Sequence, residues 1–392
     1  MSRYFSYLNS AINILEKYNG ELPFAIYSKQ FFTANKKYGS KDRKEISRLC
    51  YNYFRMGFAA QEHTIEQQLI IATFLCSNEF SELLHLVKKE WNDHIAATKE
   101  NKWNFIKASF PLKDIFPFKN KLSKDIDPDQ FNDSFLQQPY VYVRIRPGQE
   151  RITTDKLNTA GIVFTISNNN CIQLPANTKI STILETDVHV VVQDYNSQRV
   201  LDYLKRNHGD ILPDSDTIKA WDCCAASGGK SILLQDIFND KMELTVSDIR
   251  SNILSNLHAR FKTAGINNYR SFTADLITGN YTPPEQQYDL IICDAPCTGS
   301  GTWGRTPEQL YFFKAATIEL YAQKQKNIVN NLVQYLNKNG LLVYITCSVF
   351  KKENEDAVSY ILENKQLQLI HQELLTGYDK KADSMFVAVF KH

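Results

Sequence analysis

The sequence carries almost no net charge: 45 basic against 43 acidic residues leave +2 over 392 positions. No global attraction to a polyanion is built in, so a nucleic-acid footprint must be local. No apolar run approaches the roughly 20 residues needed to span a bilayer, and the opening MSRYFSYLNSAINILEKYNG lacks the basic and then uninterrupted apolar segments of a signal peptide. A soluble protein of a reducing cytoplasm, with no membrane partner, is the expectation. Eight cysteines are spread along the chain without the spacing of a disulfide framework, and no C-x-x-C is followed by a second pair. Neither a disulfide scaffold nor zinc is indicated, and no metal is expected. Internal repeats and low-complexity segments are also missing.

What is present is enough chain for two or three cores. From Tyr4 to about Asn104 apolar residues recur at helical spacing (Leu8, Ile12, Leu15; Ile46, Leu49, Cys50, Tyr53, Phe54; Ile65 to Leu75; Phe80 to Val87), which predicts an all-α bundle. Lys36, Lys37, Lys41, Arg43 and Lys44 surround the GSKDRKE segment, where Ser40 or Asp42 is suited to cap a helix. Such a charge run is ordinarily a solvated face. Lys119, Lys121 and Lys124 precede an acidic, proline-containing stretch, Asp125 to Asp133, which reads as a linker. Strand-like alternation at Tyr140 to Ile145, a helix near Thr153 to Thr159, and strands at Ile162 to Ile166 and Val188 to Val192 form a small α+β module. From Thr217 onward strands and helices alternate, with one long helix expected over Pro307 to Asn337, and predict a doubly wound α/β sheet. The expected domains are 1–125, 134–205 and 206–392.

Chemistry collects at the ends of the strands in that last domain. In YDLIICDAPCTGSGTWGR a short apolar strand ends in Asp294, Pro296, Cys297 and a glycine-rich loop; in GLLVYITCS another ends in Cys347. A single strand-end cysteine is ordinarily a small buried hydrophobe, but two of them opening into polar loops, one beside an acid, point to function if the strands are neighbours. WDCCAASGGKS places Gly228 and Gly229 at a helix amino terminus, where free N–H groups favour anionic or strongly polar ligand groups. The spacing is not that of a P-loop. Asp248 ends the next strand, suited to ribose hydroxyls, and Asp275 follows the one after, suited to an adenine edge. Either acid alone is a common helix cap; with the Gly-Gly turn they predict an adenosine-bearing cofactor.

These segments, WDCCAASGGK, VSDIR, TADL, CDAPCTGSGTWGRTPE, YITCSVFKKENE and more loosely DSMFVAVF, resemble the Rsm/Nop/Sun family of S-adenosylmethionine-dependent RNA cytosine-5 methyltransferases. GSKDRKEISRLCYNYFR is similar to the NusB-like helical RNA-binding domain of its ribosomal RNA branch. The resemblance implies a Rossmann-like class I methyltransferase sheet, a NusB-like amino-terminal domain and the small α+β module between them. It implies S-adenosyl-L-methionine held by Cys224, Ala225, Ala226, Ser227, Gly228, Gly229, Lys230, Asp248, Asp275 and Asp294. Ser227 stands where the family has proline, which relaxes the loop.

By the same resemblance Cys347 is the nucleophile that adds to carbon 6 of cytosine, because carbon 5 is too poor a nucleophile until that addition makes it enamine-like. Cys297 helps remove the carbon 5 proton and release the enzyme, and Asp294 hydrogen-bonds ring N3. A thiolate near neutral pH needs an electropositive neighbourhood, for which Lys230 is the candidate. RNA contacts are expected from Lys41, Arg43, Arg144, Arg146 and Arg305 to phosphates and from Trp303 by stacking on a base. The favoured substrate is 16S ribosomal RNA. Transfer RNA and a non-catalytic, RNA-binding assembly factor remain alternatives, though a scaffold needs neither thiol; a small-molecule methyltransferase leaves the amino-terminal half without a role.

Overall fold

A computed structural model describes residues 2–167, 170–212, 217–282 and 286–392. Contacts divide the chain into two units, one comprising Met1–Asn120, Asp127–Gln138 and Trp303–Ala315, the other Lys121–Ile126, Pro139–Thr302 and Ala316–His392. The expected linker is therefore split between the units, and part of it is the helix Pro128–Ser134, started by Asp127 accepting the N–H groups of Asp129 and Gln130.

The first unit is helical. Its longer helices, Arg3–Lys17, Ser40–Arg55 and Ile65–Cys76, bury Leu8, Ala11, Ile46, Leu49, Phe54 and Leu69 in one core. Local chemistry sets where they begin. Asp42 accepts the Gly39 N–H at 2.8 Å and the Tyr7 hydroxyl at 2.6 Å, and Thr64 and Gln67 close a reciprocal capping box. The segment 303–315 is woven into this unit. Tyr311 meets Tyr53 hydroxyl to hydroxyl at 2.6 Å, Glu308 accepts the Phe24 N–H at 3.1 Å, and buried Arg55 donates to the Gly304 carbonyl at 2.9 Å. The single helix expected over Pro307 to Asn337 is accordingly two, Pro307–Tyr311 and Ala316–Leu332, because residues up to Ala315 belong to the helical unit and those from Ala316 to the other.

The second unit holds two sheets. The smaller, β1 (Val141–Ile145), β2 (Thr165–Ser167), β3 (Cys171–Leu174) and β4 (Val190–Val192), is antiparallel in the order β2-β3-β1-β4. The larger is built from β5 (Ile218–Asp222), β6 (Met242–Asp248), β7 (Tyr269–Thr273), β8 (Tyr288–Asp294), β9 (Leu336–Thr346), β10 (Gln368–Leu375) and β11 (Met385–Lys391), in the order β10-β11-β9-β8-β5-β6-β7. Neighbours from β9 to β7 are parallel, and β11 runs antiparallel between β9 and β10. This is the Rossmann-like methyltransferase arrangement. Strand order reverses between β5 and β8, and ligands of such sheets bind in the crevice beyond the carboxyl ends there.

The expectation that Arg144 and Arg146 face RNA is corrected here. Arg144 lies 2.5 Å from Asp236 with side chains 6% and 7% exposed, and Arg146 reaches the other oxygen of the same carboxylate at 2.8 Å. Arg146 also donates to the carbonyls of Asp187 and Ala264. Both arginines tie β1 to the helix Gly229–Phe238 within one unit, and neither offers its charge to a phosphate. Asp236→Ala leaves two cations without their shared anion and is expected to lower unfolding free energy by about 3–5 kcal/mol. Chemical denaturation checks this, and a loss below about 1 kcal/mol would mean that the cluster is screened like a surface pair. Among the described residues no helix is long and apolar enough to cross a membrane.

Candidate active site

β8 and β9 are adjacent and in register, Asp294 beside Ile345, so the loops that leave them start side by side. The Ala295 N–H donates to the Ile345 carbonyl at 2.9 Å and the Gly301 N–H to that of Cys347 at 2.8 Å. Gly301 has no room for a Cβ, which would collide with the Ser384 carbonyl oxygen. The result is that the Cys297 and Cys347 sulfurs stand 3.3 Å apart. That hydrogen bond, burial, and the nearby charge of Glu353 raise the Cys297 pKa well above the usual 9.0.

The loop after β5 is equally constrained. Gly228 has φ of +84°, and a Cβ there would lie 2.6 Å from the Phe261 ring, so glycine is required. Ala226, also at positive φ, donates its N–H to Asp248 at 3.0 Å. The relaxation expected from Ser227 is countered by Arg260, which donates to the Ser227 carbonyl at 2.9 Å and hydroxyl at 3.1 Å while paired with Asp187 at 2.6 Å. Asp222, at the end of β5, is buried; it accepts the Ser231 hydroxyl at 2.6 Å. Burial pushes its carboxyl up to about 7.

Lys230, from the first turn of the helix, reaches Asp294 at 2.5 Å with side chains 12% and 28% exposed. Burial works against this ammonium, but the charge and hydrogen bond of Asp294, with Cys347 and Asp222 adding to them, raise its pKa above the usual 10.5.

Two cavities meet at these groups. One, of about 560 Å³, is lined by Cys224, Asp248, Asp275, Asp294, Cys297 and Cys347 among others. The second, of about 320 Å³, shares Cys224, Asp294 and Cys347 and adds Asp222, Ser227 and Lys230. Asp248 is 5% exposed, and besides the Ala226 N–H it accepts Arg250 at 3.0 Å. Asp275 accepts the N–H of Ile277 and the hydroxyl of Thr278, so it caps its own loop as well as lining the cavity. The first cavity has the volume and the acids for an adenosine-bearing group; the second offers a smaller recess against the same sulfur.

Four other expected site residues belong to the helical unit. Trp303 is 1% exposed and packs on Phe313 at 4.6 Å and Phe116 at 6.3 Å, so it is a core residue of the helical unit and not a platform for a base. Arg305 is half-buried in the same unit. Lys41 and Arg43 are exposed on the first turn of Ser40–Arg55, with Arg43 donating to the Tyr38 carbonyl at 2.9 Å. Sequence spacing gave no metal ligands, yet Cys223, Cys224 and Cys293 converge from β5 and β8 to within 4.8 Å, a set of thiols suited to a thiophilic ion. Asp222 and Glu353 carry no site signal of their own in the sequence; the latter stands there only as the first residue of the ENE triplet.

Residues 210–390 match the family model of the 16S rRNA methyltransferase RsmB/F. A ribosomal RNA small subunit methyltransferase B from Klebsiella pneumoniae is 31% identical over 44% of this chain and 38% of its own length. That of Proteus mirabilis is 30% identical over 51% of this chain and 45% of its length. The chain thus spans about two fifths of the length of the curated relatives it matches. Among solved structures, a protein designated PH0851 superposes with a TM-score of 0.69 at 16% identity over 97% of either chain. NSun6 from Pyrococcus horikoshii, solved with SFG, gives 0.57 at 14% identity over 71% of this chain and 97% of its own. At these identities the likeness to solved structures is one of fold. Residues 210–390 are thus similar to the methyltransferase domain of the RsmB/F family.

Proposed function

We propose that the protein transfers a methyl group to carbon 5 of cytosine in RNA in the cytoplasm, with 16S ribosomal RNA as substrate. The observation that carries this reading is the 3.3 Å separation of the Cys297 and Cys347 sulfurs at the ends of adjacent strands, where both cavities meet. A binding scaffold has no use for two convergent thiols, whereas carbon 5 methylation needs one to add and another to assist release. The family that residues 210–390 resemble and the names of the curated relatives support the same reading.

S-adenosyl-L-methionine supplies an electrophilic methyl group on a sulfonium. The residues present fit it: Asp248 faces the larger cavity as a ribose acceptor, Asp275 as an adenine-edge acceptor, and the turn from Cys224 to Lys230 opens at a helix amino terminus. Cys347 adds its sulfur to carbon 6, and ring N3, which takes up a proton as the adduct forms, donates it in a hydrogen bond to the Asp294 carboxylate held by Lys230. Cys347 is assigned as the attacking sulfur by the match of its TCS motif to the family, and Cys297, 3.3 Å away, as the thiol that assists release. A recessed site of this kind takes a base from a single strand or one flipped from its stack. Lys41, Arg43 and Arg305 are proposed to hold flanking phosphates.

Incubation of the protein with ribosomal RNA and methyl-labelled cofactor, followed by nucleoside mass spectrometry, tests this. Labelled 5-methylcytosine in 16S RNA is expected. Label in transfer RNA alone would move the substrate, and no labelled 5-methylcytosine with any RNA would remove the activity.

A further inference from the structure

The triplet Glu353-Asn354-Glu355 follows Cys347 by six residues and is given no part in the chemistry above. Glu353 is 0% exposed. One of its oxygens accepts the Thr298 N–H at 2.8 Å and the Gln325 side-chain amide at 3.2 Å; the other accepts the hydroxyls of Thr298 at 2.6 Å and Ser348 at 2.5 Å. Thr298 directly follows Cys297, and Ser348 directly follows Cys347. We propose that Glu353, seconded by Asn354, is the positioning residue of the two-thiol centre: a single buried carboxylate that holds the residue after each cysteine and so sets the distance between the sulfurs. The proposal rests on the assignment of both thiols to the reaction.

Four accepted hydrogen bonds fill the lone-pair sites of an ionised carboxylate, and among the described residues all four donors are neutral. Burying a carboxylate against neutral donors is costly compared with an apolar residue of the same volume, so packing alone does not account for it. The donors come from three elements, the loops after β8 and β9 and the helix Ala316–Leu332. Asn354, also 0% exposed, continues the cradle: it accepts the Thr346 hydroxyl at 2.6 Å and donates to the Ser348 carbonyl at 2.9 Å, one residue on either side of Cys347. Its amide and Glu355 both reach Ser123, which anchors residues 121–126 against the same turn. Burial raises the Glu353 pKa, with the four donors opposing it. The carboxylate acts through Thr298 and Ser348 and touches no reacting atom.

Glu353→Ala removes all four acceptor contacts at once and leaves the loops after β8 and β9 without their shared anchor. A displacement of about 1 Å at reacting atoms costs on the order of 100-fold in rate. The expected result is therefore a fall in kcat of about 100-fold with KM for RNA changed by less than about threefold. Because this variant could fail to fold, Thr298→Val and Ser348→Ala each release one handle. Ser348→Ala is expected to slow formation of the covalent protein–RNA adduct, and Thr298→Val to leave formation at the wild-type rate but slow release, so that adduct accumulates. A merely structural carboxylate would lower stability without splitting these two steps. The role is overturned if both handle variants form and release adduct as wild type does while Cys297→Ala accumulates it. If Cys297→Ala accumulates none, the two-thiol reading fails first and the positioning role falls with it.

Discussion

Cys297→Ala is expected to accumulate an RNA-linked form of the protein that survives denaturing electrophoresis, whereas Cys347→Ala and the double variant form none. The bond count dictates the difference. When the Cys347 sulfur bonds to carbon 6, the ring electrons move to carbon 5, which takes the methyl group and then carries both methyl and hydrogen. Loss of that proton returns the electrons to the ring and breaks the carbon 6–sulfur bond. On the proposed reading Cys297, its sulfur 3.3 Å from the attacking one, assists the second half only. Its removal is expected to slow turnover by about 10²–10⁴, the range for a positioned proton-transfer group, while addition continues. Adduct from the Cys347 variant would exchange the roles of the two thiols.

Lys230→Met is expected to reduce kcat by about 100- to 1,000-fold, the scale of losing one preorganised charge in a recessed site, with the protein still folded. The ammonium is the partner of Asp294 at 2.5 Å and the cation in the electrostatic neighbourhood of Cys347. Losing it leaves Asp294 without its ion-pair partner and the thiolate without its nearby positive charge. The pH dependence follows from the direction of the shift. A lysine whose folded pKa is raised above 10.5 contributes stability that is fully present below that value and is lost only as pH rises through the higher folded value. The wild-type protein is therefore expected to lose this contribution only in strong alkali, and Lys230→Met to show no such alkaline loss. An unchanged kcat in Lys230→Met would remove the lysine from the reaction.

The placement of the candidate site residues is legible because it is local: Cys297, Cys347, Asp248 and the Gly228 turn each sit where an apolar strand stops, and the parallel alternation of strands and helices brings such ends to one side. What stayed hidden depended on partners distant in sequence. Arg144 looks like an RNA-facing cation until Asp236, on a helix of the larger sheet, is placed beside it. Trp303 follows a glycine-rich loop of the second unit, but its neighbours Phe116 and Phe313 lie in the helical one. The same excursion broke the expected long helix at residues 312–315. β3 was missed because Cys171–Leu174 is too short for a period-2 pattern to register. The thiols of Cys223, Cys224 and Cys293 carry no ligand spacing in sequence and meet only because β5 and β8 pair. Glu353 shows the limit most clearly, since nothing in ENE says that its carboxylate closes on Thr298, 55 residues earlier.

The central claim is that the Cys347 sulfur bonds to cytosine. RNA carrying 5-fluorocytosine makes that bond permanent, because carbon 5 then holds fluorine in place of the proton whose loss would free the enzyme. Digestion of the trapped complex and peptide mass spectrometry is expected to find the modified nucleotide on Cys347, and only when cofactor is present to supply the methyl group. A nucleotide on Cys297, or no linked peptide from a protein that binds both RNA and cofactor, would contradict it.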